Sequence, residues 1–257
     1  MAKQFKKICT LFITILVFKA AYAEETIIIT TGELPPRYSE NLKFNGIMPR
    51  IITEVFALEG IKTRYKFYPW KRAMVTAQKG KADATALWGF KKERTIHFYY
   101  SDPVHKSQWV FFHLKSNNFN WKEFDDLKGL KIGGVREYTY GEAFYNAEKQ
   151  GKIKVNWVTD EQQAFKMLMA GRLDITPGQP EITFFYLSKL FGPDKIDLFM
   201  HHPKAFHSFK LHLLFSRKVN RNKRLLKLFN RGLKRIEENG KLHQFLIEDV
   251  KRGVYSK

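Results

Sequence analysis

Hydrophobic and polar positions along this chain switch between two periods, and the switching happens twice. Thr26 to Thr31 is a β-branched run that predicts a buried strand. Gly32-Glu-Leu-Pro-Pro36 breaks it. After Gly46, the residues Ile47, Ile51, Ile52, Val55, Phe56 and Leu58 recur at helical spacing, with Pro49 tolerated in the first turn and Gly60 as the stop. Ile61 to Tyr68 alternates as a strand, Lys71 to Gln78 reads as a helix closed by Gly80, and Ala82 to Trp88 is the next strand. A β-α-β-α-β order implies a mostly parallel sheet covered by helices.

The same order then returns. Lys131 to Val135 reads as a strand, Tyr140 to Gln150 as a helix ended by Gly151, and Ile153 to Val158 as a strand. Glu161 to Ala170 reads as a helix ended by Gly171, and Leu173 to Thr176 as a strand. The junctions match in detail: Gly80-Lys-Ala-Asp83 in the first half, Gly171-Arg-Leu-Asp174 in the second. Each glycine suits the left-handed turn that stops a helix, and each aspartate can bond backbone donors as the chain enters a strand. Turn chemistry explains both without a ligand. Two copies of one unit predict two lobes with a cleft between them. Gln108 to Lys115 and Phe209 to Arg217 are β-rich segments that would carry the chain across and back. Leu225, Phe229, Leu233 and Ile236 form an apolar stripe on a helix ended by Gly240, and Lys241 to Val250 is a last short helix. These would pack back on the first lobe.

The N-terminus changes the setting. Met1 to Lys7 is short and basic, and Ile8 to Phe18 is apolar but too short for a stable anchor. Ala21-Tyr22-Ala23 offers small residues at both positions read by signal peptidase, which predicts cleavage after Ala23 and export. The one cysteine, Cys9, lies in the removed segment, so disulfides and cysteine metal sites are excluded from the mature chain. No other segment reaches transmembrane length, and the mature chain should be soluble. The 257 residues carry a formal net charge of +20. The signal takes only four lysines and no acid with it, so the remainder stays strongly basic. Such a balance favours anionic partners and says nothing of fold.

These features, in order, resemble the family 3 extracellular solute-binding proteins. The resemblance is carried by Pro69-Trp70, Gly80-Lys-Ala-Asp83, Glu93-Arg94, Ser101-Asp-Pro103, Asp126-Leu-Lys-Gly129, Gly171-Arg-Leu-Asp174 and the run Asn230 to Gly240. It implies an α/β, two-lobed type II periplasmic binding fold with two hinge crossovers. Residues 1–23 would be the signal peptide, 24–113 with 206–257 the first lobe, and 114–205 the second. It implies a monomer that passes a small-molecule ligand to an inner-membrane ABC permease from the periplasm, with no cofactor, no nucleic acid and no catalysis.

Ligands of open α/β sheets bind beyond the carboxyl ends of strands, here after Thr31, Trp88, Val135 and Thr176. Arg94 stands seven residues before Ser101, the spacing at which the family carries the arginine that holds a ligand carboxylate. Its guanidinium suits that task through two parallel bonds. From the second lobe, Thr139 is placed to cap the helix that follows, where free N–H groups favour an anion. Trp70, Trp88 and Tyr38 are candidate flat walls. Two positions depart from the amino-acid binders of the family. Gly89 stands where Ser or Thr is usual, and Gln179 where an acid usually holds the ligand ammonium. An amide supplies a hydrogen bond without countercharge. Glu33 or Glu181 would have to substitute. The expected ligand is therefore a small carboxylate-bearing solute, amino acid-like or an organic acid.

Other readings remain open at this level. The cyclohexadienyl dehydratases share this fold and would need a cleft acid, again Glu33 or Glu181. A sensory role without transport is a further alternative. Arg217, Arg221, Arg224, Arg231 and Arg235 lie along one helical face, a footprint for nucleic acid or the envelope surface that export argues against for nucleic acid. His201, His202, His207 and His212 cluster in sequence, but without cysteine or a helical i, i+4 pair.

Overall fold

The computed structural model describes residues 25–255 apart from Glu137. The basic start, the apolar run, Cys9 and the expected cleavage point after Ala23 lie outside the described residues. The first half runs β1 (Thr26–Thr31), α1 (Ile47–Ala57), β2 (Lys62–Phe67), α2 (Trp70–Gln78) and β3 (Ala84–Gly89). A strand of 17 residues, β4 (Phe98–Leu114), leads into the second half. That half holds β5 (Ile132–Val135), α3 (Glu142–Lys149), β6 (Val155–Val158), α4 (Glu161–Met169) and β7 (Thr176–Gly178), then α5 (Pro180–Phe191), α6 (Pro193–Ile196) and β8 (Phe199–His201). β9 (His207–Ser216) returns, and α7 (Asn222–Glu238) with short helical turns over 241–251 completes the chain.

One sheet has the order β2-β1-β3-β9-β4-β7, with β8 also on β4; β5 and β6 form a second pair. The expected parallel pairing holds for β1 with β2 and β3, and for β5 with β6. The crossover strands β4 and β9 run antiparallel to each other from Phe98–Ser216 to Trp109–His207, with register shifts on either side of Pro103. β4 begins ten residues before the predicted segment. Asp102 and Pro103 interrupt the apolar pattern, yet the chain stays extended through them because β9 pairs on both sides.

The two glycine–aspartate junctions form as their composition dictates. Gly80 and Gly171 take φ of +75° and +68°, the left-handed turn. Asp83 then accepts the Ile28 N–H at 2.8 Å, and Asp174 accepts the Lys131 N–H at 2.7 Å. Each aspartate thus ties the end of a helix–strand junction to the start of its half's first strand.

α1 buries Ile47, Ile51, Ile52, Val55 and Phe56, the predicted stripe, against α7 residues Leu225, Phe229, Leu233 and Ile236. A second core is aromatic and belongs to the second half, with Phe111 stacked on Phe206 at 4.7 Å and Trp109 edge-on to Tyr140 at 4.8 Å. α5 is absent from the pattern-based expectation. Its residues Thr183, Phe184, Phe185 and Leu187 are all buried, so the helix presents no clean polar–apolar stripe to read. Among the described residues, no helix is long and apolar enough to cross a membrane.

Candidate functional site

The loop after β1 brings the first half to the site. Gly32 lets the Trp70 ring lie flat on the backbone, since a Cβ there would stand 2.4 Å from the indole. From that contact an aromatic series runs outward: Tyr38 edge-on to Trp70 at 5.7 Å, and Trp70 edge-on to Trp88 at 5.2 Å. The Arg94 guanidinium lies over Trp88 at 4.9 Å, and its Nη1 donates to the Gly89 carbonyl at 2.9 Å. Tyr38, Trp70, Trp88, Gly89 and Arg94 are therefore brought together by the first half. Tyr38 is buried, and its hydroxyl accepts the Leu87 N–H at 3.0 Å. It packs the core rather than offering an open wall.

The second group stands around a cavity of about 430 Å³. Leu34, Pro35 and Arg37 enter from the loop after β1, and Trp109, His207 and Phe209 from the two crossover strands. Tyr138 and Thr139 enter from the segment before α3, Glu161 from the start of α4, and Gln179, Ile182 and Tyr186 from α5 and its leading residue. Both halves and both crossovers thus contribute. Thr139 and Gln179 are predicted residues that line this space; Trp70, Trp88, Gly89 and Arg94 do not. Thr139 does not cap α3. The residue before that helix is Gly141, because Tyr140 turns inward so that its hydroxyl accepts the Val135 N–H at 2.8 Å.

Arg37 organises the polar side of the cavity and was not anticipated. It follows two prolines in what reads as a strand-breaking loop. The one available signal is its place just beyond the carboxyl end of β1. Its Nη2 donates to Ser107 Oγ at 2.8 Å and Gln179 Oε1 at 2.5 Å, and its Nε to Glu181 Oε1 at 3.0 Å. His105 Nε2 meets the same carboxylate oxygen at 3.0 Å. The side chains of Arg37 and Glu181 are only 5% and 3% exposed. Burial alone would raise the Glu181 pKa, but the charges and hydrogen bonds of His105 and Arg37 outweigh it and hold the carboxyl far below its usual range. Glu181 is thereby engaged by Arg37 and His105, and Glu33 accepts the Glu40 N–H in its own loop. Neither acid replaces the missing countercharge at Gln179.

Among the described residues, Glu161 is the acid that lines the cavity with no cation bonded to it. It is 9% exposed, and Thr183 Oγ1 donates to it at 3.0 Å. Burial pushes its pKa up to about 7, with the Thr183 bond pulling the other way. Its position at the start of a helix gives an ordinary reason for an acid, which hides the role in sequence.

Arg217 and Arg221 stand before α7, so the five arginines do not share one helical face, and most of them are engaged within the fold. Arg221 grips Asp83 through two bonds of 2.9 and 2.8 Å, Arg224 pairs with Glu25 and Arg231 with Glu59, while Arg217 lies over Tyr99. Among the described residues, no three His, Cys, Asp or Glu side chains are grouped to hold a metal.

A family model described as bacterial extracellular solute-binding proteins, family 3, matches residues 26–248. A comparison with curated proteins finds no match. Solved structures with the same fold include substrate-binding domain 2 of Lactococcus lactis GlnP in its open conformation, with a TM-score of 0.70 and 17% identity over 87% of this chain and 94% of that one. The unliganded, open L-cystine solute receptor of Neisseria gonorrhoeae gives 0.70 and 19% over 88% and 94%. A polar amino acid ABC uptake transporter substrate-binding protein from Streptococcus thermophilus gives 0.71 and 18% over 89% and 90%.

Proposed function

The chain belongs to the family 3 bacterial extracellular solute-binding proteins, and on that premise we propose that it captures a small carboxylate-bearing solute in the periplasm for an inner-membrane ABC importer. The observation that carries this reading is the cavity itself, walled by Arg37 from the first half, by Glu161 and Gln179 from the second, and by Trp109 and Phe209 from the crossovers. A space lined from both sides of two crossover strands gains its full set of contacts only when the halves stand together. Ligand and closure then favour one another. The proposed lobes are 24–113 with 206–257, and 114–205.

In this reading Arg94, which stands beside Trp88 and outside the lining of that cavity, receives the carboxylate. Only one of its donors is engaged by Gly89, and its stack on Trp88 fixes the plane of the fork. Solute released by gentle denaturation and identified by mass spectrometry tests the reading directly. Calorimetry with that solute should then show a loss of roughly tenfold or more in Arg94→Ala, the scale of one charge-assisted contact. Unchanged affinity would remove Arg94 from the site.

One observation favours a second reading. A dehydratase would need a proton donor in the cavity, and Glu161, buried with a pKa of about 7, has that property. Turnover of prephenate or arogenate by the purified protein, lost in Glu161→Gln, would replace binding with catalysis.

A further inference from the structure

Resting on the reading of this cavity as the solute site, we propose that it holds the cationic end of the solute, a substituted ammonium, with Glu161 as counter-ion and Trp109, Tyr138 and Tyr186 as walls. Four observations lead there. Glu161 is nine-tenths buried on the cavity surface, and among the described residues its one side-chain hydrogen-bond partner, Thr183, is neutral. Arg37, the cation that lines the same space, is held by Glu181, Gln179 and Ser107. Trp109, Tyr138 and Tyr186 line the cavity, with Trp109 and Tyr138 at 5.9 Å and inclined at 54°, and aromatic rings of this kind attract cations. Tyr138 and Tyr186 both feel the Glu161 charge, which together with burial pushes the Tyr138 phenol up to about 12 and raises that of Tyr186.

The same lining argues for a substituted ammonium rather than a bare one. An –NH3+ group presents three donors and needs acceptors for each once water is excluded. Gln179 Oε1 already accepts from Arg37 and Ser107. Much of the remaining lining is apolar, Leu34, Pro35, Ile182 and Phe209. Alkyl groups on the nitrogen replace donors with surface that such walls accept.

Binding is then linked to pH. The ionised carboxylate is the form that holds a cation, so the Glu161 proton must leave to solvent before or as the ligand enters. The charged and titratable groups facing Glu161 or the cavity are Asp160 at the head of its own helix, Arg37 and Glu181 as a pair, and Tyr138 and Tyr140 before α3. Among the described residues, Tyr186 on α5 and His207 on β9 complete the set. Asp160 is occupied in capping α4 through the Gln163 N–H at 2.8 Å.

The experiment uses the mature full chain, with three probes: choline, tetramethylammonium and neohexyl alcohol, the uncharged carbon isostere of choline. Calorimetry at about pH 8 should show choline binding at least ~10-fold tighter than the isostere, the scale of a desolvated cation over aromatic faces beside a carboxylate. Below pH 7 choline affinity should fall by up to ~10-fold per pH unit while the isostere is indifferent, since one proton competes with one cation. Glu161→Gln, which keeps an acceptor for Thr183, should erase both the preference and the pH dependence. Tyr186→Ala should weaken choline by roughly tenfold and leave the pH slope in place. Equal affinity for choline and its isostere, or a preference that survives in Glu161→Gln, overturns the proposal. So does a purified solute that bears no cationic group, an outcome that leaves the solute-binding reading standing. Protein that carries no small molecule and responds to neither these cations nor small carboxylates overturns both.

Discussion

The junction at Asp83 and the junction at Asp174 begin from the same four-residue pattern and end in different surroundings. Both aspartates accept an N–H at their half's first strand, Ile28 within β1 and Lys131 just before β5, and both return their own N–H to the carbonyl of that same residue, Asp83 at 3.0 Å and Asp174 at 2.8 Å. Among the described residues, only Asp83 of the two is also clasped by a guanidinium, that of Arg221 at the head of α7. The shared part is what a helix–strand turn needs. The added part is what fastens the C-terminal helix to the first half. A repeated motif therefore reports the common unit, and the partner found in one copy reports where the rest of the chain docks.

The largest effect is expected where the two halves meet. Arg37→Met leaves Glu181 buried beside His105 alone and should cost about 3–5 kcal/mol in denaturant unfolding, the range for breaking a buried pair. A cost near zero would mean that the halves are not joined there. The same pair sets an acid limit. The Glu181 pKa is depressed in the folded state, so its contribution is complete above the usual glutamate value and is lost as pH falls below about 4 towards the folded value. Glu181→Gln should flatten the acid limb of a melting-temperature profile, whereas an unchanged limb would assign acid unfolding elsewhere.

Next in size comes the contrast between junctions. Asp83→Ala should destabilise by about 2–3 kcal/mol, since it removes a backbone acceptor and takes from Arg221 the closer of its two carboxylates, Glu25 standing at 3.4 Å. Asp174→Ala should cost about 1 kcal/mol, the worth of the backbone bond. Equal losses would dissolve the distinction. The smallest change in stability belongs to Arg94→Ala, under about 1 kcal/mol, because its stack and its bond to Gly89 sit on a half-exposed surface. There the readout that matters is solute affinity.

Much of the architecture was legible because it rests on local signals. β1, α1 and β2 follow from clean periods and glycine stops, and α7 from one apolar stripe. α5 was not, because a helix covered on several sides loses the polar face that reveals its period. The start of β4 was hidden by Asp102 and Pro103, which an antiparallel partner accommodates. At the site, Arg94, Trp88 and Trp70 are near in sequence and were grouped in advance. Arg37 and Glu181 lie 144 positions apart, and Glu161 is 22 positions from Thr183. No pattern within a window connects such residues; only the paired halves do.

The two long crossover strands have one mechanical consequence. Because β4 and β9 are laced to each other along their shared length, any rotation of one half against the other would be absorbed as torsion of a single ribbon. The ladder shifts register on either side of Pro103, within a few residues of the His105 contact to Glu181. The break in the ladder and the residue that reaches Glu181 lie on the same strand.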